Sequence, residues 1–209
     1  MSRPAQTLSG RRAQAARNDE AILAAAREVF LADPRAPIAA VAERAGVGIS
    51  ALYRRYAGKE DLLRRLCHDG LRRYLAEVEA AADEPDGWTA LAGFLERVVV
   101  ADVHSLTVHL AGTFTPTEEM SADARRAGAH TERLLERARA GGRLRPDVVA
   151  GDLELVLEGC AALRVADAAR TEVLRRRHLA LLLAGLSSDG PPLPGPPPSG
   201  GELNRRWRG

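Results

Sequence analysis

Between Ile38 and Lys59 the chain reads IAAVAERAGVGISALYRRYAGK, and its apolar positions fall into two short helical periods separated by glycine. Ile38, Val41, Ala42 and Ala45 recur at helical offsets, which places them on one face and leaves Glu43 and Arg44 outside. Gly46 stops that helix, because glycine just past a helix end can take the left-handed conformation that closes the last turn, and Val47 follows as a small apolar plug. Gly48 can N-cap a second helix over Ile49 to Tyr56. There Leu52 and Tyr56 face inward, while Ile49, Ser50, Tyr53 and Arg54 are left on the outer side. The spacing predicts a helix-turn-helix whose exposed face can enter a major groove.

Outside this stretch the pattern stays helical. Residues 1–17 have no period and contain Arg3, Arg11, Arg12 and Arg17 without an acid, which predicts a flexible basic arm able to reach phosphates or a minor groove, or a solvated tail. A first helix is expected from Asn18 as its cap, burying Ile22, Leu23, Ala26, Val29 and Phe30, and Asp33 to Pro37 form a rigid turn. Lys59-Glu60-Asp61 open a long helix, Trp88 to Val99 continue the period after Pro85-Asp86-Gly87, Val103 to Phe114 are less regular, and Glu118 to Ala140 are helical again. The last pair carries an apolar stripe from Val149 to Leu163 and a segment, Leu179 to Ala184, that is apolar nearly all round. Such a helix needs cover on more than one side, from its own monomer alone or from a second copy, and we expect a homodimer. Ser187 to Gly209 is rich in proline and glycine and reads as a disordered tail, although its PxxP spacing and Arg205-Arg206-Trp207-Arg208 end are able to bind a partner. The expected organisation is all-α: an arm over 1–17, a three-helix DNA-binding domain over 18–64, a larger helical domain over 65–186 and a tail over 187–209.

Charge sharpens this picture. Residues 1–65 carry 12 basic and 7 acidic side chains, whereas the remainder carries 18 and 21, so the positive excess coincides with the DNA-reading motif. Arginine richness alone has a GC-rich coding explanation, since Lys59 is the only lysine. No run of about 18 uncharged apolar residues exists and the first residues lack the apolar segment of a signal peptide, so a cytoplasmic protein with no membrane partner is expected. Cys67 and Cys160 lack CxxC partners and read as small core residues. Enzyme motifs fail on context. Gly46-Val47-Gly48-Ile49-Ser50-Ala51 matches GxGxxA but follows a helical period where that fingerprint needs a strand, and Gly58-Lys59-Glu60 lacks the hydroxyl residue of a P-loop. No catalytic residue, cofactor or metal set is assigned, and His104 and His109, five apart, have no metal-ligand companions.

With a helix ending in Ala45-Gly46-Val47, then Leu52-Tyr53, an aromatic at Tyr56, and Lys59-Glu60 leading into Leu62-Leu63, the chain resembles the TetR family of bacterial transcriptional repressors over Ala21 to Leu66. The resemblance implies a homodimeric, ligand-responsive repressor on a palindromic double-stranded DNA operator. It places Tyr53 and Lys59 where the family commonly contacts phosphates. Gly48, Ile49, Ser50, Ala51, Tyr53, Arg54, Arg55 and Lys59 form the expected DNA-binding set, with Arg54 assigned to base readout because its guanidinium can pair two-pronged with guanine. Pro37 stands where the family often has a Thr or Ser that caps the helix and touches phosphate, and proline has no hydroxyl to make that contact. The resemblance also implies a cavity for an unknown small-molecule effector, with Trp88, Phe94, His104, His109, Phe114 and Met120 as lining candidates. Two other readings stay open: a helical small-molecule enzyme with a vestigial DNA module, and an architectural DNA binder without regulation.

Overall fold

The computed structural model describes residues 5–110, 112–187, 190–198 and 202, with residues 5–17, 107 and 108 described in backbone only. Among them the fold is all-helical: α1 (Ala5–Ala32), α2 (Ile38–Arg44), α3 (Ile49–Tyr53), α4 (Lys59–Ala80), α5 (Gly87–Val100), α6 (Val103–Leu110), α7 (Glu118–Ala140), α8 (Ala150–Ala162) and α9 (Ala168–Leu186). A 3₁₀ turn, Ala81–Asp83, prolongs α4. Helix α1 begins well before Asn18, so residues 5–17, read from sequence as an arm, carry helical backbone and Asn18 lies inside the helix. Alanine, arginine and glutamine dominate that stretch and all favour helix, which lets the helix propagate without an apolar stripe.

The turn between α2 and α3 follows from Gly46. Its φ of 65° is left-handed, its N–H donates to Glu43 O at 3.1 Å, and the Val47 N–H donates to Ala42 O at 3.0 Å. These two bonds form a Schellman closure, which a side chain at position 46 would strain. Pro37 caps α2 without a side-chain bond, in keeping with the loss of the usual hydroxyl there. Helix α3 is shorter than the sequence predicts: it stops at Tyr53, and the chain turns through Arg54 and Arg55, with the N–H groups of Arg55 and Tyr56 both donating to Leu52 O.

Two cores result. One gathers Ile22, Phe30, Val41, Leu52, Leu62 and Leu63 beneath the head, and Leu106, Leu110 and Met120 of the body enter it as well. The boundary between the expected domains is therefore a shared core running through α4 and α6. The other core, with Leu91, Phe94, Leu95, Leu135 and Leu153, lies within the body. The stretch read as irregular is helix α6, because Val103, Leu106 and Leu110 make a helical stripe that the intervening His104, Ser105, Thr107 and His109 conceal. Asp86, Thr117 and Asp167 cap α5, α7 and α9 by accepting from backbone N–H groups, the stop-start chemistry expected after prolines and turns.

Part of the segment expected to be disordered is placed. Over residues 190–198, Pro191 O accepts from Arg145 Nη2 at 2.6 Å, the Leu193 N–H donates to Asp147 Oδ2 at 2.8 Å, and Pro198 approaches Gly151 so closely that a Cβ there would lie 2.9 Å from its carbonyl oxygen. Arg205-Arg206-Trp207-Arg208 lie outside the described residues, as do Met1 to Pro4.

Candidate nucleic-acid interface and body cavity

Leu52 fixes how α3 is presented, with no exposed surface at all. Tyr56 supports it from the following turn: its hydroxyl donates to Asp19 Oδ1 at 3.0 Å, and Arg55 Nη1 donates to the same oxygen at 3.0 Å. Burial first, then the bond to Asp19, pushes the Tyr56 phenol well above its ordinary range, so it stays a donor. Asp19 thus ties the end of the reading helix to α1. Its partners lie 36 and 37 residues away, and nothing in the local pattern signals them.

The opposite side of α3 is open. Ile49 is 40% and Tyr53 53% exposed, and Gly48, Ser50 and Arg54 are exposed beside them, while Ala51 is half-buried. Two members of the expected set point elsewhere. Arg55 is held by Asp19, and Lys59 Nζ donates to Pro34 O at 2.8 Å and Ala36 O at 2.7 Å while lying 5.2 Å from the Phe30 ring centroid. Lys59 thereby closes the turn before α2 and keeps its charge near the head surface.

The six residues selected as effector contacts are dispersed. Trp88 and Phe94 belong to the body core, where Phe94 meets Tyr74 edge to face at 5.1 Å. Met120 is buried in the head core with the partly buried Phe114 against it. His109 is half-buried and its Nδ1–H donates to Ser105 O at 2.8 Å. His104 is 5% exposed; its Nδ1–H donates to Val98 O at 3.3 Å, which leaves Nε2 a buried acceptor without a partner among the described residues. Burial above all, with Arg175 and Arg27 adding to it and Asp102 working against it, lowers the His104 pKa to about 4.

That shift predicts acid sensitivity. The unfolded chain takes up a proton at this position near pH 6.5 and the folded chain only near pH 4, so stability is intact above the first value and falls between the two. The loss amounts to about 3 kcal/mol at most. Carboxyl groups held low, such as Asp102 and Asp123, lose their contributions only below 3.8, so the windows separate. Urea unfolding between pH 7 and pH 4.5 reads the effect, and His104→Gln is expected to flatten the slope in that interval; an equally steep slope in the variant assigns the proton uptake elsewhere.

A cavity of about 440 Å³ opens where the α5–α6 turn meets the α8–α9 loop, among Val99, Val100, Asp102, Arg164, Val165 and Arg175. None of the six expected effector residues lines it. Its floor is ionic. Asp102, at φ 50°, accepts from Arg175 Nη1 at 2.5 Å, pairs with Arg27 Nη2 of α1 at 2.8 Å and accepts from the Ser105 hydroxyl. Burial opposes its ionisation, yet Ser105, Arg27 and Arg175 together hold its carboxyl below the ordinary range. Elsewhere, donor atoms of His68, Glu119 and Asp123 lie within 4.8 Å of one another. Both carboxylates there already meet arginines, Arg72 on Glu119 and Arg126 on Asp123, so the group forms an ion-pair network between α4 and α7.

A recognition helix on a three-helix head, continuous with a helical body, defines a helix-turn-helix DNA-binding regulator, and comparison with known proteins agrees. The family model described as "Bacterial regulatory proteins, tetR family" matches residues 22–66, and "Transcriptional regulator SbtR-like, C-terminal domain" matches residues 86–188. The chain belongs to the TetR family of transcriptional regulators. Solved structures share the fold: the TetR-like regulator LfrR from Mycobacterium smegmatis, in complex with proflavine, is 24% identical with a TM-score of 0.64, covering 85% of this chain and 99% of its own. PfmR from Thermus thermophilus is 22% identical, with a TM-score of 0.58 and coverages of 80% and 99%. A TetR regulatory protein from Mycobacterium vanbaalenii is 25% identical, with a TM-score of 0.54 and coverages of 85% and 99%. No curated protein matches the chain in sequence. No helix among the described residues is long and apolar enough to cross a membrane.

Proposed function

We propose that this DNA-binding regulator is a homodimeric, ligand-responsive repressor that reads a palindromic operator through α3. The observation that carries the reading is the outer face of that helix, where Ile49 and Tyr53 leave large apolar surface in water beside the exposed Arg54 while Leu52 beneath them is sealed. A monomer gains nothing from that exposure; a duplex offers thymine methyls to Ile49, phosphates to Tyr53 and a guanine edge to Arg54. Dimerisation is supported by Leu155 on α8 and by Val173 and Leu181 on α9, which are 46%, 54% and 65% exposed and need a covering surface. A second copy covers them symmetrically and sets two reading heads for half-sites about 34–36 Å apart. An effector would act by binding more tightly to the arrangement that does not match those half-sites.

Selection of bound fragments from random DNA with the purified chain is expected to return an inverted repeat. On the selected sequence Arg54→Ala is expected to cost about 1–3 kcal/mol and to relax preference at one base position. A titration at fixed salt that shows unchanged affinity removes Arg54 from base readout. Recovery of sequences without symmetry argues for the architectural reading instead.

A further inference from the structure

We propose that the cavity between the α5–α6 turn and the α8–α9 loop binds a small aliphatic carboxylate, whose head group competes with Asp102 for Arg175 and so loosens the tie between body and reading head. The inference rests on the ligand-responsive reading above and adds to it a site, a ligand class and a route.

The volume, about 440 Å³, lies within the range of small-molecule sites. Its walls are aliphatic, with Val99 and Val100 on one side and Val165, Ala166 and Ala168 on the other, and they suit a short hydrocarbon body. Charge selects the head group. Arg175 is 4% exposed; its Nε donates to Leu163 O at 2.9 Å and its Nη2 to Ala161 O at 3.3 Å. The guanidinium is thus anchored on the final carbonyls of α8, and Asp102 is its one carboxylate partner among the described residues. Arg164, also on the wall, is exposed and has no ion pair among the described residues. With Arg27 behind Asp102, cations outnumber carboxylates at this end, and Glu172 stands exposed on the lining. A carboxylate can take the Nη1 contact of Arg175 from Asp102 and meet the guanidinium of Arg164 as well, whereas an alcohol or an amine offers neither arginine a counter-charge.

Asp102 makes the site more than a receptacle. It joins Arg175 of α9 to Arg27 of α1 and holds a left-handed backbone at the start of α6. The same α6 carries Leu106 and Leu110 into the core beneath the head. A ligand carboxylate that takes Arg175 leaves Asp102 with Arg27 and Ser105 alone, so the turn is free to shift and α1 and α6 with it.

Octanoate, octan-1-ol and octylamine, each titrated calorimetrically into the full chain, test the proposal. Octanoate is expected to bind once per protomer, about tenfold or more tighter than octan-1-ol, and octylamine not at all. Arg164→Ala is expected to weaken octanoate by about tenfold and Ala168→Trp, which fills the cavity from its exposed wall, to abolish it, with thermal melting confirming that both remain folded. Absence of octanoate binding, equal binding of the alcohol, or binding unchanged by both substitutions overturns the site. The relay is read separately: octanoate is expected to weaken binding to the selected DNA fragment, and Asp102→Asn to blunt that response while octanoate still binds. Octanoate binding with unaltered DNA affinity overturns the relay. A chain that binds no DNA either with or without octanoate contradicts the regulator reading itself, a failure distinguishable from both.

Discussion

Asp102→Ala is expected to lower the unfolding free energy by about 3–5 kcal/mol, read by urea unfolding at neutral pH. The carboxylate balances Arg175, which is almost wholly buried, and removal of one partner leaves the other charge in a poorly solvated site. A second cost comes from the backbone. At φ 50° alanine is strained, whereas aspartate and asparagine tolerate the left-handed region. Asp102→Asn separates the two: it keeps the backbone preference and one acceptor for Arg175 but loses the charge, so its stability should fall between wild type and the alanine variant. Arg27→Ala is expected to cost less than either, because Arg27 is 27% exposed and water takes over part of its role. Wild-type stability in the alanine variant would mean that the α8 carbonyls suffice to hold Arg175.

The head was readable because its signals are local. The spacing of Ile38, Val41 and Ala42, the stop at Gly46 and the inward Leu52 are consequences of helical period and glycine conformation, and each reappears in the structure. Arg55 and Lys59 are expected from the sequence to contact DNA, whereas their partners in the fold, Asp19 and the carbonyls of Pro34 and Ala36, come from other turns of the chain. No spacing rule reaches that far. Helix α6 escaped because two histidines and two hydroxyl residues break its apolar count, although Leu106 and Leu110 seat it. In the body, Trp88 and Phe94 were chosen by residue type as effector contacts, and the fold packs them into the core. The cavity beside Asp102 is assembled from the end of α5 and a loop more than sixty residues later, joined by a left-handed aspartate that no periodicity marks. Packing between distant segments decides such a site, and a single sequence carries little trace of it.

Leu52→Ala is the second large effect: about 3–5 kcal/mol off the stability of the head, and a loss of operator binding greater than that of Arg54→Ala. Leu52 is fully buried in the core that also holds Phe30, Val41 and Leu62, so truncation removes transfer energy and leaves a void the surrounding packing closes only in part. The functional consequence exceeds the packing loss because of what α3 is. It has five residues and no side-chain cap, far too short to persist by its own hydrogen bonds. Leu52 is its one buried residue, and the Tyr56–Asp19 bond that supports it lies beyond its end. Loss of that anchor lets Ile49, Ser50, Tyr53 and Arg54 scatter relative to one another, and DNA binding then bears the entropic cost of reordering them. Leu52→Met keeps the volume and is expected to stay within about 1.5 kcal/mol of wild type, with operator affinity nearly restored. Calorimetric melting beside the DNA titration checks the assignment. If Leu52→Ala melts like wild type yet loses the operator, the side chain contacts DNA rather than the core, and α3 turns its opposite face to the duplex.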